Sequence, residues 1–371
     1  MTSAQLLAGH LVLRPGAPLP GALQSSRRDW APRLTAGQPA SAVPGLLASL
    51  FSLCGQAHRL CSQLALAAAA PGRVAPPADL AQRLRLETAQ EHVRRIGLDW
   101  PRLLAGDGEG ASREAALASL RSCPLLKAPS EAADPWTDAL DWLKQALLQM
   151  SPDTWLRAWQ AGGADWLGDW SRRQDGWLPA LLRLAREDDA GPALDGSCAL
   201  RPHRLNEGLH LLADDLSHHT GFAMQPTWQG VCAHTGTWSR AACVDEGLPL
   251  TPWALLGCRL AELVRLCLPD GPEDQGAAWL RSGVESTGPD RSLAWVEMAR
   301  GLLVHQVEID DSGDGTRVRV CRVLAPTEWN FHAEGEVARR VSALDAGEPA
   351  TMTRRRVGLL MAAFDPCVPF E

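Results

Sequence analysis

The chain has 371 residues, of which 46% are hydrophobic, and a net charge of −7. A chain of this length can form one large domain or two ordinary ones and bury a substantial core. Its acidic balance, without any run of basic residues, excludes nucleic acids and anionic membrane surfaces as expected partners.

The sequence also indicates the compartment. The segment "MTSAQLLAGHLVLRPG" lacks a basic start followed by an apolar stretch, so we expect no secretory signal. The longest apolar run is far shorter than the ~20 residues that span a bilayer. The cysteines are scattered without CxxC pairs, which is typical of buried thiols rather than of a disulfide framework. We therefore predict a cytoplasmic protein without membrane insertion.

The first predicted elements are a short strand and two helices. The strand covers residues 11–13 and is ended by Pro15 and Gly16. From about Gly45, the stretch "VPGLLASLFSLCGQAHRLCSQLALAAAA" has a strongly helical pattern. A second long helix follows in "LAQRLRLETAQEHVRRIGLDWPRLL", with Asp79 as its predicted N-cap.

The middle of the chain is rich in tryptophan. The spacing of Trp155, Trp166 and Trp177 is about three helical turns, so an uninterrupted helix would place them on one face. Gly162 and Gly163 interrupt that helix. We predict that these tryptophans form core or a seam between helices, and a docking face for a partner protein is the alternative.

The last third of the chain changes character. Two alternating runs in "GLLVHQVEIDDSGDGTRVRVCRVL" surround a Gly and Asp turn, which predicts a β-hairpin. Helices follow in "NFHAEGEVARRVSAL" and in "TRRRVGLLMAAF", and the second runs directly into Asp365, Pro366 and Cys367. No linker composition divides the chain. We therefore predict one domain over residues 1–371, of the α+β class, mostly helical with small β elements near both ends.

One short stretch combines residue types that bind metals. In "CGQAHRLC", a helix would bring Cys54, His58 and Cys61 within roughly 60° of one another around its axis. Together with Cys367 near the C-terminus they would form a four-ligand site of sulfur and nitrogen, suited to Zn²⁺ or iron. Packing in a helix rich in Ala and Leu is the alternative interpretation.

The sequences "CGQAHRLC" and "FDPCVPF" resemble the two cysteine motifs of the large subunits of nickel–iron hydrogenases, which read CGxCxxxH and DPCxxC. Cys54 and Cys367 match the first cysteine of each motif. The other positions depart from the pattern, since Ala57 replaces the second cysteine of the first motif, Cys61 its histidine, and Phe370 the last cysteine of the second motif.

Further segments resemble the same family in the same order, so the resemblance covers nearly the whole chain. They are "AGHLVL", "EHVRRIGLDWP", "HTGTWSR", "ARGLLVHQVEI" and "APTEWNFHAEG". The resemblance implies a shortened large-subunit-like fold with a central helical bundle. It also gives Arg300 the role of the arginine beside the iron's diatomic ligands, and a solvated hairpin arginine is the alternative. His92 is a candidate to orient the site residues, or else an exposed helix histidine.

The departures imply a function without catalysis. In the family, the first cysteine of each motif binds nickel terminally and the second bridges nickel to iron. Because Ala57 and Phe370 supply no sulfur, the resemblance implies that the chain holds no nickel and is not an enzyme. This pattern resembles the hydrogenase maturation proteins of the HupK/HoxV type.

That resemblance implies a scaffold. Cys54 and Cys367 would transiently bind the Fe(CN)2(CO) unit, with His58 and Cys61 as candidate additional ligands and Cys367 on a mobile tail. The expected partners are the chaperones that build and deliver the iron unit and the apo large subunit of a nickel–iron hydrogenase.

Two alternatives stay open. One is an interaction chaperone that mimics the large subunit without carrying iron, with the tryptophan-rich middle as its binding surface. The other is a structural module stabilised by zinc on the four Cys and His ligands. In "TEWNFH", we expect Glu328 and His332 to fix the local turn and pack with Trp329.

Overall fold

A computed structural model describes most of the chain: residues 8–105, 110–127, 134–189, 191–240, 249–271, 275–310, 315–345 and 347–371. The turn of the predicted hairpin includes residues 311–314, which lie outside the described ranges, as does Cys243.

The first half of the described chain is almost entirely helical. Its elements are β1 (Leu11–Leu13), β2 (Leu23–Ser25), α1 (Ala31–Thr35), α2 (Val43–Leu50), α3 (Gly55–Ala69), α4 (Leu80–Arg94), α5 (Trp100–Leu104), α6 (Gly110–Ser122), α7 (Pro135–Trp142), α8 (Pro152–Arg173) and α9 (Trp177–Glu187). Two π-helical segments, Arg95–Asp99 and Leu143–Leu148, continue α4 and α7.

The second half places a sheet between helices. Its elements are α10 (Gly208–His218), α11 (Thr237–Arg240), α12 (Pro252–Cys267), β3 (Ser282–Gly288), β4 (Arg291–Met298), β5 (Gly301–Asp310), β6 (Arg317–Leu324), α13 (Pro326–Asn330), α14 (Glu336–Ser342) and α15 (Ala350–Phe364). The α+β, mostly helical class is as predicted, with β1 and β2 near the N-terminus and the sheet in the last third.

The sheet is antiparallel, in the order β3–β4–β5–β6. The β5–β6 pair is the predicted hairpin, and its register shifts between Glu308 and Ile309. Helix α3 packs on β4 and β5. Ser292 Oγ donates to the carbonyl of Ala65 at 2.6 Å, and Cys61 Sγ lies 3.4 Å from the carbonyl of Ala294. The helix that follows Cys54 is therefore fixed against the middle of the sheet.

Helix α12 lies in the centre of the molecule, because every one of its residues is buried. A helix that is buried on all sides is typical of a protein core. It also carries charged residues: Arg259 and Glu262 form ion pairs that reach towards the site described below, and Arg265 stacks on the ring of Trp279. Within the described part of the chain, no helix combines the length and the apolar character needed to cross a membrane.

The tryptophans form a seam between helices, as predicted. The ring centroids of Trp155 and Trp166 are 5.3 Å apart and those of Trp155 and Trp170 are 5.9 Å apart, both edge to face. Gly163, with φ of 50°, breaks the helical geometry of α8. Trp177 lies apart from this cluster and donates its indole N–H to Ser119 Oγ at 3.0 Å. Trp155, Trp170 and Trp177 are buried and Trp166 is half-buried, as expected for core and seam positions.

One predicted N-cap is correct in position but makes no capping hydrogen bond. Helix α4 begins at Leu80, but Asp79 adopts a left-handed conformation with φ of 51° and its side chain accepts no capping hydrogen bond. The backbone enters the helix from the wrong direction for the carboxylate to reach the first N–H groups.

Candidate functional site

Cys54 lies at the start of α3 and not on its surface. It ends a 3₁₀ turn, Ser52–Cys54, and its φ of −131° is not helical. The next residue must be small, because a Cβ on Gly55 would lie 2.8 Å from the carbonyl oxygen of Ala48. The predicted helical face shared by Cys54, His58 and Cys61 is therefore wrong, since the helix begins one residue after Cys54.

A carboxylate from α4 holds this turn in place. The backbone N–H groups of Gln56 and Ala57 donate to the two oxygens of Glu87, each at 2.7 Å. These are free N–H groups of the helix N-terminus, where a negative charge is favourable. Burial raises the pKa of Glu87 to about 7.

Cys367 reaches the same place from the end of α15. Asp365 ends that helix in a left-handed conformation with φ of 51°. The Cys367 N–H then points to Thr327 Oγ1 at 3.5 Å. The expected mobile tail is wrong, because Leu11 N–H donates to the Pro369 carbonyl at 3.0 Å and Leu13 N–H to the Glu371 carbonyl at 2.8 Å. Strand β1 thus anchors the C-terminal residues by backbone pairing.

The two cysteines meet although more than three hundred residues separate them. Their sulfur atoms are hydrogen-bonded to each other, which lowers the pKa of Cys367 to about 6, helped by the positive charge of Arg300. The same bond raises the pKa of Cys54 well above its usual range, and burial adds to this effect. The two thiols therefore titrate as a coupled pair, and the first ionisation leaves one proton shared between the two sulfur atoms.

Arg300 lies beside this pair, buried to 2% exposure. It lies in the turn between β4 and β5, and the next residue must be glycine, because Gly301 has φ of 129° and a Cβ there would lie 2.4 Å from Thr235 Oγ1. Arg300 Nη2 donates to Glu91 at 3.0 Å. Its buried Nη1 has no hydrogen-bond partner in the part of the chain that the structure describes. Arg300 is therefore a buried arginine and not a solvated one, and Nη1 is free to donate to a bound group.

Asp365 is the centre of a buried charge network. Its carboxylate lies 3.0 Å from Arg95 Nε, 3.2 Å from Arg259 Nη1 and 3.4 Å from Arg300 Nε. The positive charge of these arginines, with Arg300 the largest contributor, offsets burial and lowers the pKa of Asp365. Since Asp365 is two residues before Cys367, this network fixes the backbone that positions the Cys367 sulfur.

His92 supports the network from behind. Its Nδ1 accepts from Arg259 Nη1 at 3.0 Å, and its Nε2 lies 2.8 Å from Glu262, which also pairs with Arg240. His92 is fully buried, so the alternative of an exposed helix histidine is wrong. It contacts no sulfur atom and acts on the site through Arg259 and Asp365.

His58 and Cys61 point away from the cysteine pair. The His58 ring stacks on Phe51 at 3.9 Å between centroids, and its Nδ1 lies 3.0 Å from Nε2 of His305. Burial lowers the pKa of both histidines, that of His305 to about 3, so both are neutral. Cys61 faces the carbonyl of Ala294 in β4. Neither side chain is oriented to join Cys54 and Cys367.

Two residues at the site, Glu87 and Arg27, had no signal in the sequence analysis. Arg27, in the loop after β2, donates its Nε to Glu328 at 2.6 Å and interacts electrostatically with Cys367 and Cys54. Glu328 was expected only to fix a local turn, and this pairing with a residue 301 positions away is its main contact. His332, its companion in that prediction, lies 3.2 Å from the sulfur of Cys232.

The donor set limits what the site can bind. Among the described residues, no three His, Cys, Asp or Glu side chains are close enough to hold a metal ion together. Cys54 and Cys367 could therefore supply two sulfur ligands, and a metal held there would have to bring its remaining ligands with it. Cys54 is 4% exposed, and Cys367 lines a cleft of about 360 Å3 together with Leu53, Arg95 and Phe370. Cys367 is therefore the cysteine of the pair that borders this cleft.

Comparison with known proteins identifies relatives over the whole length. The chain is 40% identical to the hydrogenase expression/formation protein HoxV of Cupriavidus necator, covering 100% of this chain and 96% of that protein. It is 32% identical to HupK of Bradyrhizobium diazoefficiens, of the same description, covering 94% and 91%. No family model matches the sequence.

A solved structure shares the fold. The Ni-Fe-Se hydrogenase of Desulfovibrio vulgaris Hildenborough superposes with a TM-score of 0.55 and 12% identity, covering 93% of this chain and 92% of that one. The architecture is that of a hydrogenase large subunit.

Proposed function

This chain belongs to the HoxV and HupK family of hydrogenase expression/formation proteins, and from that premise we propose that it is a non-catalytic scaffold for hydrogenase maturation. In this proposal, Cys54 and Cys367 bind the Fe(CN)2(CO) unit transiently. The chaperones that build the unit deliver it, and the apo large subunit of a nickel–iron hydrogenase receives it in the cytoplasm.

The observation that carries the proposal is the meeting of Cys54 and Cys367 beside buried Arg300. Low-spin iron with cyanide and carbon monoxide favours thiolate ligands and already carries three ligands of its own. The site offers two sulfur atoms as ligands. The free Nη1 of Arg300 can donate a hydrogen bond to a cyanide nitrogen. One proton leaves the pair when both sulfurs bind as thiolates.

The missing sulfur positions support a carrier more than a catalyst. Ala57 is fully buried and Phe370 lines the cleft, so neither replaces the bridging thiolates of the hydrogenase motifs. A metal held by two sulfurs exchanges more readily than one held by four, because fewer bonds must break. The half-buried Cys367 thiolate is the sulfur that an incoming partner can approach through the cleft.

Maturation assays separate this proposal from an interaction chaperone that never carries iron. Cells in which this chain is replaced by Cys54→Ala or Cys367→Ala should fail to produce active hydrogenase, while Cys123→Ala, which alters a buried cysteine away from the site, should not. Full maturation with both site variants, each folded and present at normal levels, would refute the carrier function and leave the interaction chaperone.

A further inference from the structure

Cys232 is a half-exposed thiol in contact with an imidazole. Its Sγ lies 3.2 Å from Nδ1 of His332, which comes from the segment after α13. His332 is 8% exposed, whereas Cys232 directly follows a tight turn in which Trp228 and Val231 exchange backbone hydrogen bonds at 2.8 and 3.1 Å. The imidazole is therefore buried, and the sulfur that it contacts is partly open to solvent.

A second contact of His332 shows where the proton between the two side chains lies. The backbone N–H of Glu334 donates to the same Nδ1 at 3.1 Å, so this nitrogen carries no proton and the thiol of Cys232 is the donor. The turn is close-packed, because a Cβ on Gly335 would lie 3.2 Å from the Cβ of His332. The ring is thus held with its basic nitrogen against the thiol.

Burial keeps both groups neutral at rest, since it raises the pKa of the Cys232 thiol and lowers the pKa of His332. The groups that act on the thiol electrostatically are Arg339, which favours the thiolate, and Glu334 and Cys198, which oppose it. A thiol reacts as a nucleophile only when it loses its proton. The imidazole nitrogen at 3.2 Å is placed to take that proton as the sulfur attacks.

Cys198 provides the comparison within the same molecule. Among the described cysteines, only Cys198, Cys232 and Cys367 are half-exposed, and Cys367 belongs to the pair already discussed. The sulfur of Cys198 lies 3.7 Å from a carboxylate oxygen of Asp195, and burial together with this negative charge raises the pKa of its thiol. Cys198 therefore resembles Cys232 in exposure but has an acid as its neighbour instead of a base.

We propose that Cys232 and His332 form a thiol-exchange site whose substrate class is a small disulfide. The sulfur of Cys232 attacks one sulfur of the disulfide while its proton moves to Nδ1 of His332. The S–S bond of the substrate breaks, a mixed disulfide forms on Cys232, and the leaving thiolate takes the proton from the imidazolium. The disulfide is thus the oxidant, since one half stays on Cys232 and the other leaves as a thiol. This modification site goes beyond the proposed carrier function and does not depend on iron.

The test follows the reaction of the reduced, metal-free, full-length protein with glutathione disulfide by mass spectrometry of tryptic peptides. Cys232 and Cys198 fall in separate peptides, so both rates come from one sample. The variant is His332→Asn, because the amide oxygen can replace Nδ1 as a hydrogen-bond acceptor but does not take up a proton. Cys123, which is buried and lies in a third peptide, reports whether the variant is folded.

We expect Cys232 to react faster than Cys198 in the wild type. His332→Asn should slow Cys232 by about 100-fold, the lower end of what a positioned general base contributes, without changing the rate of Cys198. In the wild type, the rate at Cys232 should rise with pH in two steps, first as His332 loses its proton and then as the thiol does. The variant should show only the second step.

The alternative is that the contact only fastens the turn to the segment after α13, and the same data exclude or establish it. An unchanged rate at Cys232 in His332→Asn, with Cys123 still protected, would overturn the proposal. A single pH step in the wild type would overturn it as well. If Cys123 becomes reactive in the variant, the variant is unfolded and the wild-type pH profile decides alone.

Discussion

Replacing Asp365 by Asn tests what holds the site together. The substitution keeps the shape of the side chain but removes the negative charge that Arg95, Arg259 and Arg300 share, at 3.0, 3.2 and 3.4 Å. Asp365 is 4% exposed, so water cannot replace it. Removing one partner of a buried ion pair costs about 3–5 kcal/mol. We therefore expect a loss of that size in the free energy of unfolding.

Urea denaturation followed by tryptophan fluorescence measures this loss. The matched control is Asp169→Asn, because Asp169 pairs with Arg172 and Arg173 at the surface, where its side chain is 48% exposed. Surface pairs contribute about 0–1 kcal/mol. If Asp365→Asn destabilises the protein no more than Asp169→Asn, the charge network around Asp365 does not stabilise the site and the reasoning is refuted.

Three further predictions follow from neighbouring contacts. Burial lowers the pKa of His305 to about 3, so the folded protein loses stability as pH falls below the unfolded value of about 6.5, and this residue alone contributes about 2 kcal/mol of the loss between pH 7 and pH 5. His305→Asn should therefore reduce the loss measured from urea midpoints at the two pH values by about that amount, and an unchanged loss would contradict this prediction. Glu87→Ala leaves two N–H groups beside Cys54 without their acceptor and should cost about 1–2 kcal/mol in the free energy of unfolding. Glu87→Gln keeps one acceptor oxygen and should cost less. If thermal unfolding of the Ala variant shows no loss, Glu87 does not have this role. Cys61→Ala should leave iron loading unchanged and lower the free energy of unfolding by about 1 kcal/mol, because the Cys61 sulfur packs on β4. If the iron content falls as it does in Cys54→Ala, Cys61 is a ligand.

The sequence predicted the elements whose local pattern is strong. The β5–β6 hairpin alternates regularly around a Gly and Asp turn, and it forms. Strands β3 and β4 were missed for opposite reasons. β3 reads "SGVESTG", a composition typical of loops, and β4 is buried at every position but its first, so it shows no alternation.

The site was predictable only in part, because its contacts are tertiary. The residues Cys54, Cys367 and Arg300 came from a resemblance to motifs, and the structure brings these three together. Arg27 and Glu87 carry no local signal, since their partners lie 301 and about thirty positions away. The apolar periodicity of α4 marked its buried face but not the polar network that buries His92 there.

The most direct test of the carrier proposal is an infrared spectrum of the protein, purified without oxygen from cells that express the maturation machinery. We predict cyanide and carbonyl stretching bands in the wild type that are absent from Cys54→Ala and from Cys367→Ala and retained in Cys123→Ala. A spectrum without these bands in wild-type protein that still supports maturation, or bands that persist in both site variants, would contradict the assignment of Cys54 and Cys367 as the iron-binding pair.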